Sequence, residues 1–253
     1  MTEQPQRPQL NDVTLVAVTS VALAPTVASL EACIRQCEFA NVLLLSDRRP
    51  NEADDEIEWR EIGRLDSRQD YSRFMLRDLA PHIETSHALC VQWDGFVLDG
   101  RAWEAEFLEY DYIGAVWPQF TDNNNVGNGG FSLRSRRLLE ATRDLPTSGS
   151  DAEDIVIGRR FRPQLEARGI RFAPEEIARR FAFERTKRTG HEFGFHGAFN
   201  LVRYLPKADA AELFRSLEPA MLAPNERSEL LRWALVRGRL DLALSLFARP
   251  SSR

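Results

Sequence analysis

Three short apolar runs, VTLVAV at residues 13–18, NVLLL at 41–45 and HALCVQW at 87–93, constrain this chain more than any other feature. Each has the length and residue types of a β-strand. Between the first two lies a helix-compatible stretch, residues 26–37, which makes a strand, helix, strand unit. Residues 51–56 are acidic and read as a loop, 58–62 as a short strand, and 71–79 as a helix closed by Pro81. Strands alternating with helices imply an α/β fold, a mostly parallel sheet flanked by helices on both faces. In such sheets ligands bind beyond the carboxyl ends of the strands, which is where Asp94 and Gly95 follow the third run.

Further along, residues 102–108 are predicted to be helical and 112–116 a strand ended by Trp117 and Pro118. The segment QFTDNNNVGNGG, residues 119–130, is built of turn formers and is expected to be a flexible loop over the sheet. Residues 131–134 resume an extended run, and 136–143 suit a helix. A polar loop, PTSGSD, precedes a helix starting near Asp151 with Glu153 and Asp154 in its first turn, where the helix dipole favours carboxylates. From residue 206 the pattern changes to short helical pieces broken by Pro219, Pro224 and Gly238. The expected organisation is a loose tail at 1–12, a ligand-binding domain at 13–205, and a small α-helical region at 206–253 that could dock a protein partner.

The 253 residues are 43% apolar, enough for a sizeable core. No run approaches the roughly 18 to 20 apolar residues of a membrane helix, and the polar start, MTEQPQRPQLNDV, is not a secretory leader. No transmembrane segment and a cytoplasmic location are therefore expected. The three cysteines, Cys33, Cys37 and Cys90, sit in no zinc pattern with histidine and are expected to be reduced thiols. A net charge of −5 gives no case for nucleic acid as a partner, but it hides an asymmetry. Residues 159–190 hold ten Lys or Arg against four Glu, either a solvated face or a patch suited to a diphosphate.

Four stretches could carry chemistry. Asp94 either ends a strand in an Asp-Gly turn or ligates Mg²⁺ or Mn²⁺, hard cations that share oxygen ligands with substrate phosphates. In VGNGGFSLRS, residues 126–135, glycines around Asn128 allow close backbone approach to phosphate or sugar oxygens. The stretch fits neither the phosphate-binding P-loop nor the G-x-G-x-x-G dinucleotide fingerprint. In DAEDIVIG the carboxylates either complement the helix dipole or supply a general base. In GHEFGFHG, His191 reads as part of a packed aromatic cluster, whereas His196 is suited to a metal or phosphate contact.

The order Q-x-D-G at a strand end, YDYIGAVW, GNGGFSLRS, an acidic ED pair and FxFHG resembles a bacterial family of GT-A-fold glycosyltransferase-like proteins, known mainly as a domain of unknown function. The resemblance covers roughly residues 13–200. It implies a nucleotide-sugar donor, a glycan or small-molecule acceptor hydroxyl, and a divalent metal, Mn²⁺ or Mg²⁺, on the donor diphosphate. Many GT-A enzymes hold that metal with an Asp-x-Asp motif; here Gln92, Trp93 and Asp94 stand in its place, so the first acidic position is an amide. By the same resemblance Asp94 and His196 are the metal ligands, and Asn128, Gly129, Gly130, Ser132 and Arg134 line the donor sugar and acceptor with Gly95. Asp154 is the expected base of an inverting transfer, Glu153 the second choice, and Arg73 an expected nucleotide contact. Two competing functions are a nucleotidyltransferase, disfavoured because TSVALAPTV after the first strand lacks a glycine-rich basic stretch, and a non-catalytic glycan- or partner-binding module.

Overall fold

A computed structural model of the chain describes residues 7–146, 151–217, 221–222 and 224–247. They fall into two compact units, Met1–His196 and Gly197–Arg253. The first unit contains, in order, β1 (Gln9–Thr19), α1 (Leu23–Ile34), β2 (Glu38–Ser46), β3 (Ile57–Glu61), α2 (Arg68–Arg77), β4 (His87–Val91), β5 (Phe96–Val97), β6 (Tyr112–Ile113) and β7 (Phe131–Ser135). It continues through α3 (Arg136–Thr142), α4 (Glu153–Ile155), α5 (Arg162–Ala167), α6 (Glu175–Phe181), β8 (Ala182–Phe183) and β9 (Gly194–Phe195).

The main sheet has the order β3-β2-β1-β4-β7-β6. Its first four strands are parallel, whereas β7 runs antiparallel to both β4 and β6. The fold is the expected α/β class. Val13, Leu15 and Ala17 of β1 face one apolar layer, with Leu30 and Cys33 of α1, while Val16 and Val18 face a second layer with Phe74 and Met75 of α2. Both faces are covered, which is why the inner strands are continuously apolar. A second small sheet, β5-β9-β8, extends from the carboxyl end of β4 and brings the residues around 95 beside those around 195.

Several expectations are corrected. β1 starts at Gln9 rather than after residue 12, and Leu10 is buried. Gln9 and Leu10, expected in the loose tail, pair with Glu38 and Phe39 of β2, with a register shift between Leu10 and Thr14. Residues 1–6 and the loop residues 147–150 lie outside the described residues. The helix expected at 102–108 is two 3₁₀ turns, Gly100–Ala102 and Ala105–Glu109, split by extended backbone at Trp103 and Glu104. Trp103 thereby packs edge-on to Phe107 and Phe193, with ring centroids 5.5 and 5.2 Å away. The strand expected at 112–116 stops at Ile113, and Val116 instead bridges Val126.

The segment 119–130 is not a loose flap. Residues 125–130 are buried, and the outer part is clamped by Arg159, which bonds both oxygens of Asp122 at 2.7 and 2.8 Å and stacks 4.0 Å over Phe120. Asn125 Nδ2 donates to Glu175 Oε2 at 2.6 Å. The expected helix after Asp151 is α4 alone, running into a π-helical turn, Val156–Arg160, where Gly158 lies against Trp117.

The second unit contains α7 (Ala198–Leu201), α8 (Lys207–Ser216), α9 (Pro224–Val236) and α10 (Leu240–Phe247). It begins at residue 197 rather than 206 because α7 packs on α9. The three cysteines are buried and free, and burial pushes the thiols up to about 12 for Cys33 and Cys37 and about 11 for Cys90. Among the described residues no helix is long and apolar enough to cross a membrane.

Candidate active site

The site is built at the carboxyl end of β4, where Gln92, Asp94 and Gly95 follow the last ladder residue. Gln92 is fixed from both ends: its backbone N–H donates to Gly130 O at 2.8 Å, and its side-chain Nε2 donates to the Tyr71 hydroxyl at 2.9 Å. The amide oxygen is thus turned towards His196, with Oε1 3.3 Å from Nε2. Asp94 Oδ1 lies 3.1 Å from the same Nε2. That oxygen is buried and makes no well-directed hydrogen bond, so ion pairing alone compensates it. On the far side of the ring, Glu184 Oε1 lies 3.4 Å from His196 Nδ1. Burial pulls the imidazole down, but the Asp94 and Glu184 carboxylates outweigh it and leave His196 well above its usual range. Burial raises Glu184 less than the imidazole and the Asn128 amide lower it, so it stays ionised.

Gly95 serves this arrangement by packing: a Cβ there would lie 2.6 Å from Phe195 O and 3.3 Å from His196. Only a bare backbone lets β9 deliver His196 beside Asp94.

Residues 128–130 join this cluster to a second one. Asn128 holds a left-handed backbone, φ 67°, which asparagine tolerates better than most residues. Its Oδ1 accepts from the N–H groups of Gly130 and Phe131 at 3.1 and 3.3 Å, which points Nδ2 at the His196–Glu184 pair, 3.1 Å from Nδ1. The next N–H, of Gly129, donates to Asp154 Oδ2 at 3.1 Å, and Ile155 N–H donates to Oδ1 at 2.8 Å. Burial first, and the Glu153 carboxylate second, push Asp154 up to about 6 despite these bonds.

Glu153 is turned inward. Its Oε1 pairs at 3.0 Å with Nη2 of Arg134, whose side chain is 0% exposed. Arg134 also donates through Nε to Ser132 Oγ at 3.0 Å and lies 5.7 Å over the Tyr112 ring. Ser132 Oγ in turn donates to Gly129 O. Glu153, Ser132 and Arg134 thus form an interior brace behind the loop rather than a surface for substrate. The glycines correct the expectation in the same sense. A Cβ on Gly127 would overlap the Trp117 ring, one on Gly129 would overlap Glu153 Oε1, and one on Gly130 would overlap His196 Nε2. Their bareness admits side chains of the protein itself.

Arg73 is not brought to the site: it is half-exposed on α2 and pairs with Asp70 at 2.7 Å. His191 is exposed, and the aromatic cluster forms without it around Phe107, Phe131, Phe181 and Phe193. The basic run 159–190 is largely neutralised locally, with Arg179 on Glu175, Arg180 on Glu104 and Glu106, and Arg162 on Glu166. Sequence reasoning missed Tyr71 and Glu184; Glu184 stands next to Phe183 in AFER, a signal lost within a basic run.

A divalent cation can be tested against these donors. Among the described residues no group of three or more His, Cys, Asp and Glu could hold a metal ion. Asp94 Oδ1 and Gln92 Oε1 each approach His196 Nε2, at 3.1 and 3.3 Å. Neighbouring ligands of an octahedral ion with bonds near 2.1 Å lie roughly 3 Å apart, a spacing that these two contacts match. The under-bonded Asp94 oxygen points to the same use.

The sequence profile of a family described as "Protein of unknown function (DUF5672)" matches residues 56–196, more than half of the chain. No curated protein matches. Among solved structures, similarity extends to the mannosyltransferase PcManGT from Pyrobaculum calidifontis in complex with GDP-Man and Mn²⁺, at 13% identity and TM-score 0.42 over 59% of this chain. The chain spans half the length of that mannosyltransferase. A glycosyltransferase involved in the glycosylation of the major capsid of PBCV-1 aligns at 12% identity and TM-score 0.47, covering 79% of this chain and 97% of its own. S. aureus TarS, residues 1–349, aligns at 10% and 0.44, covering 81% of this chain and 70% of its own.

Proposed function

The chain belongs to the family described as "Protein of unknown function (DUF5672)", and we propose that it is a GT-A-type glycosyltransferase moving a sugar from a nucleotide-sugar donor to an acceptor hydroxyl with inversion. One observation supports this reading above the rest. A single tripeptide at the carboxyl end of the sheet carries a cation-type donor set on one side, through Asn128 and His196, and a carboxylate with raised pKa on the other, through Gly129 and Asp154. Sugar transfer needs both, a counter-charge for the departing diphosphate and an acceptor for the hydroxyl proton.

In this reading Asp94, His196 and Gln92 hold Mn²⁺ or Mg²⁺, which when bound neutralises the donor diphosphate. Asp154 receives the acceptor proton as that oxygen bonds to C1 and the C1–O bond to the diphosphate breaks. A carboxyl near pKa 6 is mostly ionised at pH 7 and still basic enough to help. Residues 128–130 hold Asp154 in place by the Gly129 N–H, and Arg134 with Glu153 keeps that loop rigid from behind. The carboxyl ends of β1 and β4, near the exposed Val21, are suited to the nucleoside, because strand order reverses there.

Thermal shift with UDP, GDP, dTDP and CDP, each with and without Mn²⁺, tests the donor class. Stabilisation by one of them is expected, and no shift with any would sink the reading. Asp94→Ala should abolish turnover of the matching donor while the protein stays folded; retained turnover would remove Asp94 from the mechanism. Binding without donor hydrolysis or transfer under any condition would mark a carbohydrate-binding module instead.

A further inference from the structure

Two residues outside the donor set hold its members in place. Glu184 sits behind His196, 3.4 Å from Nδ1, while Nε2 faces Asp94 Oδ1 at 3.1 Å and Gln92 Oε1 at 3.3 Å. Tyr71, on α2, accepts a hydrogen bond from the Gln92 amide N–H₂ at 2.9 Å, which leaves Oε1 as the end that faces the ring, 3.3 Å from Nε2. Without it, a simple flip would present Gln92 Nε2, a donor that cannot bind a cation.

We propose that Glu184 and Tyr71 are positioning residues that preassemble Gln92, Asp94 and His196 as a three-donor divalent cation site. The inference rests on the metal assistance proposed above and adds to it the division of labour within this chain. A ring with Nδ1 held by a carboxylate presents Nε2 in one orientation and with raised basicity, and loss of such a partner typically weakens metal binding about 10- to 100-fold. Asn128 completes the frame. Its amide is pinned by the Gly130 and Phe131 N–H groups, so Nδ2 limits the ring's rotation from the loop side. Gln92 in place of a carboxylate leaves a donor set of low charge. Such a set depends more on orientation than a pair of carboxylates would, because an amide oxygen attracts a cation only when it is aimed at it.

The test is Mn²⁺ titration of the full chain, read by electron paramagnetic resonance, for wild type, His196→Ala, Glu184→Gln, Glu184→Ala and Tyr71→Phe, with circular dichroism to confirm folding. Wild type should bind Mn²⁺ and show on its spin echo the ¹⁴N modulation of a coordinated imidazole, lost in His196→Ala. Glu184→Gln, which keeps an acceptor oxygen, should weaken Mn²⁺ about tenfold, Glu184→Ala more, and Tyr71→Phe several-fold. Weakened Mn²⁺ binding by a folded Glu184→Gln separates positioning from packing, since the near-isosteric amide keeps the packing and removes only the charge. Affinities of folded Glu184→Gln and Tyr71→Phe within twofold of a wild type that shows the modulation would overturn the positioning roles while leaving the metal reading intact. No imidazole modulation in wild type would overturn both, and the nucleotide thermal shifts without metal would then stand as a separate test of the donor class.

Discussion

Glu153→Ala should damage the fold and retune its neighbour. Arg134 is fully buried, and among the described residues Glu153 is its one carboxylate partner, at 3.0 Å. Removing one partner of a buried pair strands the other charge, at about 3–5 kcal/mol. For a domain of this size each kcal/mol moves the melting temperature roughly 2–4 °C, so a drop on the order of 10 °C is expected. Glu153→Gln keeps an oxygen for the guanidinium and should lose less. The double variant Arg134→Met, Glu153→Leu removes both charges and should recover most of the loss, because apolar pairs replace buried ion pairs at little penalty. Differential scanning calorimetry of the three proteins reads this directly. The same variants carry a functional signature. Glu153 helps to raise Asp154 to about 6 while Arg134 opposes it, so Glu153→Gln should move the acidic limb of the transfer rate to lower pH. A melting temperature for Glu153→Ala within about 2 °C of wild type, or a double variant as unstable as the single one, would refute the interior brace.

In wild type, transfer should rise between pH 5 and 7 as Asp154 ionises, and Asp154→Asn should lower kcat by roughly 10²- to 10⁴-fold without that limb. Linkage runs the other way for stability. A carboxyl whose folded pKa is raised favours the fold while protonated, so this group's contribution falls by at most about 3 kcal/mol as pH rises from 4 through 6, and denaturant melts of wild type against Asp154→Asn across that window check it. Gly130→Ala should displace the His196 ring, abolish Mn²⁺ binding and destabilise by about 1–3 kcal/mol, measured by titration and urea unfolding. Cys33, Cys37 and Cys90 should react with a thiol reagent at pH 8 only after denaturant is added, since all three are buried with thiols pushed to about 11 or 12.

The apolar runs and their spacing determine the parallel core. β1, β2 and β4 fall where VTLVAV, NVLLL and HALCVQW stand, and Asp94 falls at a strand's carboxyl end, because burial on both faces leaves its mark in local composition. The pairing of Gln9 with Glu38 lies beyond a bulge, outside the apolar run that marks the strand. The glycines of VGNGG were legible as close approach, but not what approaches. That is settled by Trp117, Glu153 and His196, which arrive from separate parts of the chain. The sequence could likewise nominate two adjacent carboxylates, yet periodicity cannot say that Glu153 turns inward to a guanidinium while Asp154 meets two backbone N–H groups. Tyr71 and Glu184 carry no motif, and they matter only because α2 and the end of β8 converge on the carboxyl end of β4. The sequence by itself determined the layers of the sheet and the address of the site, since those follow from apolar periodicity. Which polar groups face one another there was decided by tertiary structure alone, because charge pairing and orientation depend on distances between residues far apart in the chain.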